Sequence, residues 1–192
     1  MNRSRLEAFS DGVLAIVITI MVLEMKVPRG TGWPALGALW PVLLCYVLSF
    51  VYIGIYWNSH HHLISAAKHI DGAIMWANLH RLFWLTLVPF VTGWMGENDF
   101  APVPTALYGV VLLMAAMTYL LLQTPILRQH PADSALRREF ARDLKGKLSP
   151  LAYLAAILAA FRWPWIAWGL YALVAIVWVV PDKRIERALA AK

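Results

Sequence analysis

Residues 5–23 read RLEAFSDGVLAIVITIMVL, in which a polar start is followed by an apolar run interrupted by one threonine. About 20 apolar residues in a helix are enough to cross a bilayer, so this stretch is typical of a membrane span. The whole chain is 60% hydrophobic and only 15% charged, whereas soluble domains carry about 25% charged residues. We therefore predict an all-α integral membrane protein, with residues 1–192 forming a single domain.

The first predicted helix has two distinct faces. At about 100° per residue, Ile16, Ile20 and Leu23 share one face. Thr19 lies beside this line, and Asp11 lies roughly 140° around the helix from Ile16. A lone carboxylate in lipid is costly, so Asp11 is expected to face protein. The pattern predicts an apolar seam or pore lining on one face and a buried polar cluster on another.

Six apolar segments are predicted to be transmembrane helices. The second is expected to continue through the histidines toward Lys68. The polar segment 128–147 is predicted to contain a short basic helix, 134–145, at the membrane surface. The last two segments are short and are interpreted as a tight helical hairpin. The predicted segments are residues 5–25, 35–57, 71–95, 105–123, 148–161 and 165–180.

Basic residues are distributed unequally between the two sides that six spans define. Only Lys26, Arg29 and Arg162 fall on one side. The positive-inside rule therefore predicts cytoplasmic termini in a multi-pass protein of the cell membrane, and it explains the net charge of +6 without a nucleic-acid partner. The basic residues on the side of the termini are Arg3, Arg5, Lys68, Arg128, Arg137, Arg138, Arg142, Lys145, Lys147, Lys183, Arg184, Arg187 and Lys192.

Motifs for catalysis and metal binding are weak. His60, His61 and His62 are consecutive, so on a helix they diverge by about 100° and do not converge on one ion. The chain has neither a nucleophile elbow nor a phosphate-binding glycine loop. We expect no enzymatic activity, no cofactor and no metal site. Two alternatives use Asp11 and the histidines, as a proton-coupled permease or as a membrane-embedded enzyme. Arg81 needs a partner or a water-filled crevice.

The start of the first helix resembles a known family. Arg5, Phe9, Ser10 and Asp11 match the Arg-x-x-x-Phe-Ser-Asp signature of the transmembrane protein 175 family of bacterial and lysosomal potassium channels. Further motifs occur in the order seen in that family, and the resemblance covers about the first half of the chain. These motifs are Tyr56-Trp57, His60-His61, Asp71, Asn78 and Leu87-x-Pro89-Phe90.

The resemblance implies a homotetrameric, potassium-permeable and leak-like channel with six helices per chain. In that family the first helix lines a central pore, isoleucine or leucine side chains form the constriction, and no carbonyl filter is present. By position after the motif, the constriction falls on Ile16, Ile20 and Leu23, with Thr19 as the adjacent polar position. The expected partners are the other subunits, the lipid bilayer and permeant monovalent cations such as potassium.

A polar network beside the pore face is also expected. In it, the motif residues of the first helix bond to the second and third helices and fix the rotation of the first helix. Arg81 does not match the family pattern. The expected network comprises Arg5, Phe9, Ser10, Asp11, His60, His61 and Asn78.

Overall fold

The structure of the chain, a computed structural model, describes residues 2–180. The described residues form nine α-helices and no β-strand, which confirms the predicted all-helical class. The basic residues at positions 183, 184, 187 and 192 lie outside the described residues. The helices are α1 Arg3–Leu23, α2 Trp33–Gly37, α3 Trp40–Ala66, α4 Gly72–Thr86, α5 Val88–Glu97, α6 Pro102–Arg128, α7 Ala135–Ala141, α8 Leu144–Ala160 and α9 Pro164–Val179.

Four helical segments are long and apolar enough to cross a membrane. They are α1, α3, the consecutive pair α4 and α5, and α6. Helix α9 is apolar but has only 16 residues, and α8 has 17. The lengths and composition of the four long segments support the membrane assignment, while α8 and α9 form the short hairpin that follows them.

The third predicted helix is divided in two. The predicted third segment, residues 71–95, is confirmed as one membrane-length segment, Gly72–Glu97. Its helix is interrupted at a single residue, because α4 ends at Thr86 and α5 begins at Val88. Pro89 lies in the first turn of α5. Proline has no amide hydrogen to continue the ladder of the preceding helix, and it fits best at a helix start. Asp71 caps α4 as its Oδ1 accepts a hydrogen bond from the amide of Ile74 at 2.9 Å.

The helices on either side of this pair are longer than predicted or shifted along the chain. Helix α3 begins at Trp40, after the separate short helix α2, and continues to Ala66, so the prediction that it runs through the histidines is confirmed. Helix α6 begins at Pro102 rather than at residue 105, because prolines are tolerated in the first helical turn. It also continues through Pro125 to Arg128.

The polar segment after α6 holds a shorter helix than expected. Helix α7 is capped by Ser134 and ends at Ala141, not at residue 145. Helix α8 starts four residues before the predicted start at residue 148, because Asp143 caps it by accepting a hydrogen bond from the amide of Gly146 at 2.9 Å. Lys145 and Lys147 therefore belong to the first turn of α8 and not to α7.

Close packing around α6 forms the centre of the fold. A Cβ atom added at Gly109 would clash with Tyr171 of α9 and lie 2.7 Å from Ile157 of α8. The Tyr171 hydroxyl donates to the Thr105 carbonyl at 3.0 Å. These contacts hold α6 against the α8–α9 hairpin. The hairpin therefore packs on the side of the subunit away from α1.

Candidate functional site

Helix α1 has one buried and one exposed apolar face in the single chain. The exposed fractions are 59% for Ile16, 39% for Ile20 and 79% for Leu23, against 3% for Val17 and 2% for Met21. The buried face packs on α3, α4 and α5. The three residues predicted to line a pore therefore form an apolar strip that the rest of the described chain leaves uncovered.

Thr19 lies on the exposed side of α1 with this strip. Its hydroxyl donates to the carbonyl of Ile16 within the same helix at 2.9 Å. A hydroxyl oxygen that donates its hydrogen still has lone pairs to offer. Thr19 can therefore present an acceptor oxygen among apolar side chains.

A groove of about 700 Å³ runs beside the exposed strip, between α1 and α5. Ile16 and Ile20 contribute to its α1 wall, and Phe90 and Trp94 contribute to its α5 wall. Phe90 is 62% exposed and stacks on Trp94 with the ring centroids 6.0 Å apart. An apolar surface of this kind is typical of a contact with lipid or with another subunit.

The polar face of α1 enters a hydrogen-bonded cluster that joins three helices. The Nδ2 of Asn78 on α4 donates to Ser10 Oγ on α1 at 3.0 Å. Asn78 Oδ1 lies 2.7 Å from Nε2 of His60 on α3. Ser10 in turn donates to the carbonyl of Leu6 at 2.9 Å. We call Ser10, His60 and Asn78 the three-helix cluster; all three are buried.

Hydrogen-bond chemistry fixes the direction of these contacts. Since Nδ2 of Asn78 is the donor to Ser10, its Oδ1 is left to accept from His60. The Nε2 atom of His60 must then carry the hydrogen. Every member has a partner, and a fully satisfied polar network specifies one packing arrangement. The cluster therefore links α1 to α4 through Ser10 and Asn78, and α4 to α3 through Asn78 and His60.

The remaining residues of the predicted network lie outside the three-helix cluster. Asp11 contacts protein as expected, but the single chain does not bury it, and its bond is to Trp57 rather than to the histidines. Asp11 is exposed, and its Oδ1 accepts a hydrogen bond from Nε1 of Trp57 at 2.9 Å. The signal for this contact was the Tyr56-Trp57 motif one turn before the histidines. The other residues outside the cluster are the exposed Arg5, Phe9 and His61.

Arg81 is fully buried one turn after Asn78 on α4. Its Nη2 donates to the carbonyl of Tyr56 at 3.1 Å. Its guanidinium carbon lies 5.5 Å from the ring centroid of Tyr56 and 4.9 Å from that of Tyr119. A cation at these distances from aromatic faces is attracted by the rings. The sequence indicated the charge of Arg81 but not these partners.

No cluster of three metal-binding side chains occurs among residues 2–180. The nearest candidates were the consecutive histidines. His60 is committed to Asn78, and His61 and His62 contact each other edge to face with the ring centroids 5.9 Å apart. In this site α1 is hydrogen-bonded to the neighbouring helices on one face, and its other, apolar face is exposed.

Comparison with known proteins identifies relatives along the whole chain. The model of the family described as "Endosomal/lysosomal potassium channel TMEM175" matches residues 5–89. A potassium channel of Chryseobacterium sp. (strain P1-3) is 50% identical over 189 residues, which cover 98% of each chain. The endosomal/lysosomal proton channel TMEM175 of Rattus norvegicus is 35% identical over 100 residues, 46% of this chain and 19% of that protein.

A solved structure resembles the whole fold. The crystal structure of a lysosomal potassium-selective channel TMEM175 homolog from Chamaesiphon minutus superposes with a TM-score of 0.81. It is 31% identical in sequence, and the match covers 93% of this chain and 96% of that one. The agreement extends beyond residue 89 into α6, α8 and α9, where the sequence carries no recognised motif.

Proposed function

Because this chain belongs to the TMEM175 potassium-channel family, we propose that it is one subunit of a homotetrameric, potassium-permeable and leak-like cation channel of the cell membrane. Each subunit spans the membrane six times, through the four long segments and the α8–α9 hairpin. Both termini are cytoplasmic, according to the positive-inside rule. The full-length relative named as a potassium channel supports potassium as the permeant ion.

The exposed strip of α1 is the observation that carries this proposal. Ile16 is 59% exposed and Leu23 is 79% exposed, although α1 is a regular helix whose other face is packed. Only 28% of the apolar stretch of α1 is buried in the single chain. Four copies arranged around an axis would bring the strips together and cover them.

The groove between α1 and α5 supports the same arrangement. It opens beside Ile16 and Ile20, whereas Leu23 and Thr19 lie outside its lining. A neighbouring subunit placed in this groove would cover the edge of α1 that carries Val13 and leave the edge that carries Ile16, Thr19 and Leu23 facing the axis. The same helix thus contributes one edge to a subunit contact and the other to the pore.

Conduction follows from the chemistry of such a ring. Apolar side chains form a constriction that an ion crosses only when water fills it. An ion that passes loses part of its hydration, and this loss costs less for potassium than for sodium. Selectivity of this origin is modest, and no carbonyl filter is required. Ile16 is the proposed narrowest point, and the Thr19 oxygen offers a polar contact between the apolar rings.

The three-helix cluster has a structural role in this mechanism. A rotation of α1 by one residue would turn Val17 toward the axis in place of Ile16. The Ser10–Asn78 bond opposes that rotation because breaking it would leave the buried Asn78 amide without its partner on α1. Asp11, bonded to Trp57, adds a second contact at the same end of α1.

Substitution at Ile16 tests the pore assignment. We expect Ile16→Asn to raise cation current several-fold and to weaken the discrimination of potassium from sodium, because a polar side chain eases wetting and replaces lost hydration. Currents are measured in planar bilayers under potassium and sodium gradients. A parallel measurement under a proton gradient addresses the proton channel relative. A proton current without a potassium current would show that protons, and not potassium ions, pass through the channel.

Two control substitutions make this test specific. Leu121 of α6 is 53% exposed, about as much as Ile16, but lies on a different helix. Leu121→Asn should leave selectivity unchanged. Val17 is buried, so Val17→Asn should reduce assembly. If wild type, Ile16→Asn and Leu121→Asn have identical selectivity, α1 does not line the pore.

Cysteine labelling tests the topology. Cys45 is the single native cysteine, so the experiment starts from Cys45→Ala. Asn98 follows α5 and Asp133 precedes the α7 cap, and both side chains are exposed. We expect Asn98→Cys to react from outside and Asp133→Cys only after permeabilisation. Labelling of both from one side would contradict six spans.

A further inference from the structure

A small cavity lies against Arg81, away from the exposed strip of α1. Its volume is about 30 Å³, enough for roughly two water molecules. Residues of α3, α4, α6, α8 and α9 line it, so it lies between the α8–α9 hairpin and the rest of the subunit. The polar lining residues are Tyr52, Tyr56, Ser59, Arg81, Tyr119, Ser149, Tyr153 and Trp178.

The charge of Arg81 has no counter-ion among the described residues. No carboxylate of residues 2–180 lies within 4.0 Å of its guanidinium. Its Nε and Nη1 atoms are buried without a hydrogen-bond partner in this part of the chain. An arginine does not lose its proton in a protein, and a buried charge without compensation is strongly unfavourable.

The aromatic rings compensate this charge only in part. Tyr56 and Tyr119 face the cation, and the Tyr56 carbonyl accepts from Nη2. Neither contact supplies a full negative charge, and neither occupies Nε or Nη1. Arg81, Ser59 and Tyr119 all line the cavity, and the Ser59 and Tyr119 hydroxyls can donate further hydrogen bonds. A buried cation with two unpartnered N–H groups, in the wall of a cavity that also carries hydroxyl donors, is suited to an anion.

We propose that this cavity is a binding site for a small inorganic anion of the halide class, with chloride as the ligand. Its volume admits a single halide ion but not a lipid phosphate group with its glycerol and acyl chains. The bound anion would accept hydrogen bonds from Nε and Nη1 of Arg81 and neutralise the guanidinium. It would stabilise the packing of α8 and α9 on α3, α4 and α6.

Anion exchange on the assembled protein provides the first test. The apparent Tm of the purified protein is measured in potassium chloride and in potassium gluconate at equal ionic strength. We expect the Tm to be roughly 2–4 °C higher in chloride and to saturate with chloride concentration. In the same series bromide should substitute for chloride. Crystals grown in bromide should show an anomalous peak beside Nε and Nη1 of Arg81.

Variants separate a bound anion from a general salt effect. Ser59→Ala removes one hydroxyl of the lining without changing the charge, and should raise the half-saturating chloride concentration about 3- to 10-fold. Arg81→Met should abolish the chloride response. Arg162 is the matched control, because it also lies over an aromatic ring, that of Trp163 at 5.4 Å, but is exposed. Arg162→Met should keep the full response.

Two results would overturn the site. One is a wild-type Tm that is the same in chloride and gluconate. The other is a bromide-grown crystal with water alone beside Arg81. Both use the wild-type protein, so the test does not depend on whether Arg81→Met folds. Neither result bears on which helix lines the pore.

Discussion

Helices α1 and α6 have equal mean hydropathy in their apolar stretches, yet the subunit buries 28% of one and 56% of the other. Helix α6 is held by close packing, with Gly109 against Tyr171 and Ile157. Helix α1 is held on one side and positioned by a few polar bonds. The difference shows that apolarity alone does not decide which helix forms the core of a subunit. A membrane helix with an uncovered apolar face is suited to lipid or to other subunits.

The largest expected effect comes from removing the amide that positions α1. Asn78→Leu leaves Ser10 and His60 buried without their partner, at a cost of about 2–4 kcal/mol. We expect loss of the proposed tetramer and a much lower apparent Tm, measured by size-exclusion chromatography and thermal unfolding. Asn58 on α3 is exposed, and Asn58→Leu should have little effect. Normal assembly of Asn78→Leu would mean that packing alone holds α1.

Alanine substitutions at one glycine in each helix compare how closely α6 and α1 are packed. Gly109→Ala on α6 introduces a Cβ atom into occupied space and should cost about 1–3 kcal/mol. A Cβ added at Gly12 on α1 meets nothing within 4 Å. Gly12→Ala should therefore raise stability by about 0.5–1 kcal/mol through helix propensity. The readout is the apparent Tm of both variants.

The glycine comparison also reports on the assembly. Gly12 lies one turn before Ile16, on the same side of α1. If Gly12→Ala lowers the tetramer fraction while the subunit keeps its Tm, the α1 helices approach closely at that level. If Gly109→Ala is tolerated, then α6 is not closely packed and the contrast between the helices fails.

A smaller effect is expected at Trp57. Trp57→Phe keeps the ring but removes the bond to Asp11, and should cost about 1 kcal/mol. Asp11→Ala should have the same effect, and the double variant should add nothing to it. Trp76 on α4 is exposed, so Trp76→Phe serves as the control. Full additivity in the double-mutant cycle would show that the two side chains act separately.

The smallest effect is expected where α1 ends. Lys26 Nζ lies 2.8 Å from Glu97 Oε1, and both side chains are exposed. Exposed ion pairs contribute less than about 1 kcal/mol and are screened by salt. Lys26→Ala should lower the Tm slightly at low salt and not at high salt. A large effect at high salt would indicate burial of this pair in the assembly.

The sequence predicted most of what depends on periodicity. The helical periodicity of about 100° per residue placed Ile16, Ile20 and Leu23 on a different face from Val17. In the subunit, Ile16, Ile20 and Leu23 are exposed and Val17 is buried. Breaks that depend on single residues were harder to place. Pro89 carried the signal for the division between α4 and α5, and Asp143 for the start of α8. The apolar run around Pro89 hid the first signal, and the charged residues around Asp143 hid the second.

Partner choice could not be predicted in the same way. Residues as close as Ser10 and Asp11 diverge by about 100° on a helix, so one joined Asn78 and the other joined Trp57. Which neighbour each meets depends on the rotation of α3 and α4, which no local pattern encodes. The residues around Arg81 come from five helices. Their positions could not be predicted from the sequence for the same reason.

The unequal helix lengths have a consequence for the surrounding lipid. Helices α3 and α6 have 27 residues each, or about 40 Å at 1.5 Å per residue. The hairpin helices have 17 and 16, or about 25 Å. If both pairs cross the membrane, one wall of the subunit is taller than the hydrocarbon layer and the other is shorter. Lipids with longer acyl chains would increase the difference between the bilayer thickness and the length of the hairpin helices. Acyl-chain length would therefore affect how stably the hairpin packs on its own subunit.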